Sequence, residues 1–233
     1  MYFSKKKKSN ILFYADSRGE NLPKKDYYKH YGDKLSRKHN VTSIVTPHKW
    51  TTTMDFLYTY DKELKGKAYD YIILHTGIVD YSPRQQKILV DTIYPSKKKA
   101  FEHIFPRKEI LKHIHKQMGT RYENDHTSNM YSKEMATHYL IPKLSKIKNL
   151  IWISSNRIHP YWRGNYWKDR PSNMYITEEY STIFISQLRN TINLLKWHEE
   201  QVKKYTYDNI HPNMRGSNYI YNEIQKILND TTK

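Results

Sequence analysis

The sequence predicts an α/β fold: one central parallel sheet of about five strands, with helices covering both of its faces. Two observations predict it. Short apolar runs recur at 11–14, 41–45, 69–75 and 150–154, and stretches with helical spacing of apolar residues lie between them. The 233 residues show no repeat of fixed period and no low-complexity linker, so the alternation is assigned to a single domain, residues 1–233.

The first strand reads Ile-Leu-Phe-Tyr at 11–14, and four apolar residues in succession suit a strand covered on both faces. It runs into Ala15, Asp16, Ser17, Arg18 and Gly19. These are small and polar residues where the backbone turns, with Ser17 at the strand's end and Gly19 permitting close packing or an unusual backbone angle. A helix N-terminus following the turn would aim backbone N–H groups at whatever sits on the Ser17 hydroxyl. Helical spacing continues from about Lys24 to Lys38 through Tyr28, Tyr31 and Leu35. The β-branched run 41–45 is the second strand, and threonines 51–53 cap a helix over 51–64 with Met54, Leu57 and Tyr58 on one face. The third strand, 69–75, ends at Thr76 and Gly77. A helix over 130–147 leads to the fourth strand, 150–154. Ile183, Leu188, Ile192, Leu195 and Val202 predict one long helix over 176–203, and a short fifth strand follows at 205–207. A helix over 214–228 closes the chain, with Tyr219, Ile220, Ile224, Ile227 and Leu228 inward. Residues 93–129, rich in Lys, His and Tyr and interrupted by Pro95 and Pro106, fit none of these units. They read as an insertion, partly helical at 109–116.

Composition excludes several chemistries. There is no cysteine, so disulfides, thiolate metal sites and cysteine nucleophiles are absent. Twelve histidines are present, but His103, His113 and His115 lack carboxylates at ligand spacing, so neither metal nor cofactor is expected. Forty Lys and Arg against 23 Asp and Glu leave a net charge of +17, which would attract nucleic acid, anionic lipid or an acidic substrate. The lysines are nevertheless dispersed, and the runs at 5–8 and 97–99 belong to no nucleic-acid-binding motif. The charge therefore reads as solvated faces rather than a nucleic-acid footprint. No stretch approaches the roughly 18 apolar residues of a spanning helix, and Asp16 interrupts the N-terminal run that a signal peptide would need. The expectation is a cytoplasmic protein with no membrane span.

Ligands of open parallel sheets bind beyond the C-terminal ends of the strands. Ser17, 77–84, 156–171 and 208–211 all follow a predicted strand at that end. A serine alone is a poor nucleophile and needs a base. Asp208-Asn-Ile-His211 supplies one: the spacing lets Asp208 reach one ring nitrogen of His211 while the other faces Ser17, and Pro212 and Gly216 suit a rigid turn into a helix.

These blocks resemble the SGNH/GDSL hydrolase family across essentially the whole chain. Ala15-Asp16-Ser17 stands where that family has its Gly-Asp-Ser nucleophile block, and Asp208-Asn-Ile-His211 matches its C-terminal Asp-x-x-His block. The resemblance implies a flavodoxin-like three-layer α/β/α sandwich and ester hydrolysis or acyl transfer through an acyl-serine, without a metal. Ser17 would be nucleophile, His211 general base and acid, and Asp208 the orienting carboxylate. Two blocks depart from the pattern. The family's Gly-x-Asn-Asp block is here Gly77-Ile78-Val79-Asp80, with valine in place of the asparagine that donates to the oxyanion. The block after the second strand, 47–52, has no glycine. A backbone N–H between Lys49 and Thr52 needs no glycine to serve in its place. Removing one such donor costs about 10²–10³ in turnover in a protease. A weakened enzyme, or a glycan-binding protein that has lost catalysis, is the alternative these departures raise.

The string Gly77-Ile-Val-Asp-Tyr-Ser-Pro-Arg84 also resembles a segment of an SGNH-like branch found among bacterial surface-polysaccharide biosynthesis proteins. That implies a saccharide or acyl-sugar substrate, with Arg84 gripping an acidic group on it, or else pairing with Asp80. Asp80 is expected to tie its loop to neighbouring backbone N–H groups rather than to react. The connection 156–171 is aromatic and basic, with Tyr161, Trp162, Tyr166, Trp167, Arg157, Arg163 and Arg170; flat rings suit sugars and the arginines an acidic substituent. Arg18, Thr51, Gly77, Val79, Asp80, Arg84, Asn156 and Arg157 are the candidates for oxyanion and substrate contacts beside the three catalytic candidates.

Overall fold

A computed structural model describes residues 8–22, 28–166 and 168–230. Five parallel strands form the central sheet: β1 (Asn10–Ala15), β2 (Asn40–Val45), β3 (Tyr71–His75), β7 (Leu150–Ile153) and β8 (Thr191–Ile192), in the order β2-β1-β3-β7-β8. Three short antiparallel strands, β4 (Arg84–Gln85), β5 (Arg121–Tyr122) and β6 (Asp125–Ser128), make a separate ribbon in the order β4-β6-β5.

The apolar run of β1 is explained by its position between two neighbours and two helical layers. Alternate side chains go to opposite faces. Leu12 and Tyr14, with Ile72, Leu74 and Trp152, pack against Met54, Phe56, Phe101, Leu140 and Phe184 on one side. Ile11, Phe13 and Ala15, with Ile73, Ile151 and Ile153, pack against Leu35, Trp197, Val202, Ile220 and Ile224 on the other. The result is a three-layer α/β/α sandwich, as the resemblance implied.

Two expected elements are corrected. The stretch 176–203 is not one helix: helix Ile176–Gln187 stops, β8 follows, and a second helix runs over Glu199–Tyr205. Ile192 is buried as a strand residue, not as part of a helical stripe. Residues 205–207 are not the fifth strand, because Tyr205 ends a helix and Thr206 makes only an isolated bridge with Pro212. The helix expected from Lys24 begins at Tyr31, where His30 and Asp33 form a reciprocal cap; residues 23–27 lie outside the described residues. So do Trp167 and lysines 5–7.

Residues 93–129 hold the end of a helix running from Gln86 to Ile104, the helix Arg107–Ile114, and the strands β5 and β6. Their Phe101, Ile104, Phe105, Ile110 and Ile114 enter the first core. The helix through Ile104 widens to a π turn at Leu89–Ile93, just before Pro95, and the helix ending at Ser145 widens at Ala136–Leu140, just before Pro142. Proline lacks an N–H and crowds the carbonyl four residues back, so a local widening accommodates it. Among the described residues no helix is long and apolar enough to cross a membrane.

Candidate active site

The site begins where β1 stops. Asp16 N–H donates to the His75 carbonyl at 3.0 Å, extending the ladder between β1 and β3 by one residue. Asp16 then caps a single 3-10 turn, Ser17–Gly19, by accepting from Arg18 N–H at 3.0 Å. Gly19 serves close packing, not an unusual angle: a Cβ there would lie 2.5 Å from the Ala15 Cβ. Ser17 is half-buried, at the C-terminal rim of the sheet, and no hydrogen bond within the described residues occupies its backbone N–H.

Arg18 turns inward. Its guanidinium forks onto Asp16, with Nε to Oδ1 at 2.9 Å and Nη2 to Oδ2 at 2.8 Å, and Nη1 reaches Ser155 Oγ at 3.1 Å. Both residues are essentially excluded from solvent, at 0% and 1%. Ser155 continues to Tyr81 OH at 2.9 Å and Tyr81 to Ser181 Oγ at 3.1 Å. Breaking a buried pair of this kind by removing one partner costs about 3–5 kcal/mol, so the network holds the Ser17 turn in a single geometry. Arg18, expected as a substrate contact, is instead part of the floor.

Asp208 and His211 come to Ser17 from the end of helix Glu199–Tyr205. His211 Nε2 lies 2.9 Å from Ser17 Oγ, and His211 Nδ1 lies 2.8 Å from Asp208 Oδ2. The other Asp208 oxygen accepts the backbone N–H of His211 at 2.8 Å and of Ile210 at 3.2 Å. Burial works to raise the Asp208 carboxyl, but the His211 ring and backbone contacts, with Arg170 nearby, hold it below the usual carboxylate range. A carboxylate facing Nδ1 fixes the proton there, which leaves Nε2 free to accept from Ser17. The arrangement can draw a proton from the hydroxyl and return it to a leaving group.

Asn209 makes this turn possible. It takes φ +73, a left-handed conformation that asparagine tolerates, and its buried side chain donates to the carbonyls of His159 and Trp162 at 2.8 and 2.7 Å while accepting from His159 N–H at 3.1 Å. Asn156 donates to the Asn209 carbonyl at 2.9 Å. The aromatic loop is thus clamped to the histidine turn. Arg157 points away, to Glu178 at 2.9 Å.

The blocks after β2 and β3 are joined by Asp80. Both of its carboxylate oxygens accept Thr53 N–H, at 3.0 and 3.1 Å, and Tyr131 OH donates to one of them at 3.2 Å. This is the tie to backbone N–H groups that the sequence suggested. Burial, with Asp55 and Asp16 adding to it against the Thr53 bond, pushes the Asp80 carboxyl up to about 8. Arg84 donates to the Val79 carbonyl, and no ion pair joins it to Asp80 among the described residues. Gly77 sits at φ +119 with the Tyr81 ring against it, and Val79 packs half-buried against the first core. Thr51 is buried and bonded to the His48 carbonyl at 2.7 Å, beside Trp50 at φ +53; the strained position of this turn is taken by tryptophan rather than glycine.

Three residues that sequence reasoning did not single out belong here. His75 is fully buried at the end of β3, bonded through Nδ1 to Tyr31 OH at 2.6 Å. Burial first, then Arg18, His30 and His211, hold it well below the ordinary histidine range, so it stays neutral. Asn209 had one signal, the ability of asparagine to take positive φ. His75 and Tyr31 had none, because a strand-end histidine and a helix tyrosine carry no local mark of meeting.

No protein-family model matches the chain, and no curated protein matches it. Among solved structures, it is similar to a lipase/acylhydrolase from Enterococcus faecalis at 14% identity, over 94% of this chain and 95% of that one, with a TM-score of 0.53. It is similar to a protein from Lactobacillus plantarum at 16% identity, over 95% and 97%, with a TM-score of 0.52. A possible lipase from Chitinophaga pinensis matches at 11% identity, over 97% and 99%, with a TM-score of 0.50. End to end, the chain shares the fold of these proteins.

Proposed function

We propose that the chain is a serine esterase of the SGNH/GDSL type that removes an acyl group from a modified saccharide through an acyl-serine. The observation that carries this is the unbroken contact from Ser17 Oγ through His211 to Asp208, at 2.9 and 2.8 Å. The fold shared with a lipase/acylhydrolase supports it. Ser17 Oγ attacks the acyl carbonyl carbon while its proton passes to His211 Nε2. The tetrahedral intermediate collapses, the bond to the sugar oxygen breaks, and His211 gives its proton to that oxygen. Water then adds to the acyl-serine with His211 again as base, the acid leaves, and the Ser17 hydroxyl is restored. Asp208 orients the ring and stabilises its protonated form. The Ser17 backbone N–H, which no hydrogen bond among the described residues occupies, serves as the first oxyanion donor. A sugar hydroxyl in place of water would make the same steps an acyl transfer.

The saccharide belongs to this reading through Gly77 to Arg84, which resembles the surface-polysaccharide branch, and through the aromatic loop. The test is hydrolysis of a short-chain aryl ester and release of acetate from acetylated saccharides. Wild type turns over both and S17A neither; unchanged rates in S17A would remove Ser17 from the reaction. One observation favours a second reading, a glycan-binding protein with weakened catalysis: Val79 offers no side-chain amide at the oxyanion position. Saccharide binding without turnover in wild type would select it.

A further inference from the structure

We propose that the cavity of about 440 Å³ lined by residues 158–163, 169–172, 174, 175 and 209 seats the saccharide of the substrate and that Arg170 grips an anionic group on it. This rests on the esterase reading for its place in the reaction. In that reading the leaving alcohol takes its proton from His211, so the sugar must lie on the histidine side of Ser17. The cavity adjoins the turn that carries His211, with Ser17 and His211 outside its lining. Asn209, two residues before His211, lines it, and so does Arg170, whose Nη2 donates to the Asp208 carbonyl at 2.7 Å.

The walls suit a sugar. Tyr161 is fully exposed and Tyr175 is 62% exposed; these are two of only five exposed large apolar side chains among the described residues, and both line this cavity with Trp162. Solvent-facing rings beside polar groups present flat surfaces to the C–H faces of a pyranose while leaving its hydroxyls free. The charge is positive at the back. The Arg170 guanidinium stacks on Tyr166 at 3.9 Å and lies 3.8 Å from Asp208 Oδ2, and its Nε is buried with no hydrogen-bond partner among the described residues. A planar donor group held flat, with an unsatisfied N–H, matches the paired oxygens of a carboxylate or phosphate. Arg163, paired with Asp169 at 2.8 Å, stands on the exposed rim of the same cavity. Arg84, the sequence-based candidate for this role, does not line the cavity.

The experiment compares kcat/KM for monoacetylated glucose, glucuronate and glucose phosphate in wild type, R170K and R170M. The ratio of anionic to neutral substrate within each protein cancels any general damage to the relay. Wild type should favour at least one anionic ester by about tenfold or more, the scale of a charge-assisted hydrogen bond. The ratio should fall to about one in R170M and be partly kept in R170K, as expected of a retained point charge. Preference for glucuronate or for glucose phosphate names the anion. Equal use of neutral and anionic esters by wild type, or an undiminished ratio in R170M, overturns the proposal. If wild type cleaves no ester, the esterase reading fails separately. Titration of glucuronate and glucose phosphate into the protein then decides the cavity: binding lost in R170M upholds it and no binding overturns it.

Discussion

The two sides of the Ser17 centre are built from different materials. On one side, Ser17, His211 and Asp208 meet through side chains at 2.9 and 2.8 Å, each held by its own backbone turn. On the other side, the turns after β2 and β3 offer no amide side chain. Val79 packs against the core and Asp80 is spent on Thr53, so neither side chain offers a donor. The difference teaches that a side-chain relay constrains residue identity, whereas a backbone donor constrains only chain path, so the second can survive the loss of the usual residues.

The largest effects should fall on the relay side. S17A or H211A should lower turnover of a short aryl ester by about 10⁴-fold or more, and D208N by about 10⁴-fold, through loss of the correct ring tautomer. A D208N loss under tenfold would mean that Asp208 does not orient His211. On the other side, V79N should raise turnover by about tenfold if a side-chain amide supplies a missing oxyanion donor. A flat result would show that the side chain at 79 does not reach the oxyanion. G77A probes the same turn through stability. Its Cβ would meet Tyr81 at 2.9 Å in a backbone conformation unsuited to alanine, costing roughly 1–3 kcal/mol in urea denaturation. An unchanged midpoint would contradict the packing described.

The last effect is a pH dependence and concerns Asp80. Its carboxyl is raised to about 8 in the folded protein, above its unfolded value, so the folded state binds the extra proton. The stabilisation is fully present below the unfolded carboxylate range and is lost as pH rises towards 8. Wild type should therefore lose stability relative to D80N between about pH 4 and pH 8. Parallel pH profiles for the two proteins would show that Asp80 is not held protonated.

The same contrast explains what the sequence made legible. β1, β3 and β7 announced themselves because buried parallel strands need unbroken apolar runs, the exposed edge strand β2 through its β-branched Val41, Thr42, Ile44 and Val45, and Ser17, Asp208 and His211 because their chemistry leaves little choice of residue. β8 was hidden: Thr191 and Ile192 are too short a pair to carry a period, and the helices on both sides supplied a false continuous one. The Asn193 cap, which accepts Leu195 N–H at 2.9 Å, was the local sign of the break. Arg18 was misplaced because a charged residue beside the serine suggests a substrate contact, and only the fold brings Ser155 beneath it to complete a buried network. Asn209 was read as spacing between Asp208 and His211, although its backbone and side chain both hold the loop that carries Arg170.

The central claim is that residues 17, 211 and 208 act as one unit. The most direct measurement is intact-mass analysis after treatment with a fluorophosphonate, in wild type, S17A and H211A. The account requires a single adduct on wild type, mapped to Ser17, none on S17A, and labelling slowed at least about 10³-fold in H211A, where the hydroxyl loses its base. An adduct on S17A equal to that of wild type, or none on wild type, would contradict it.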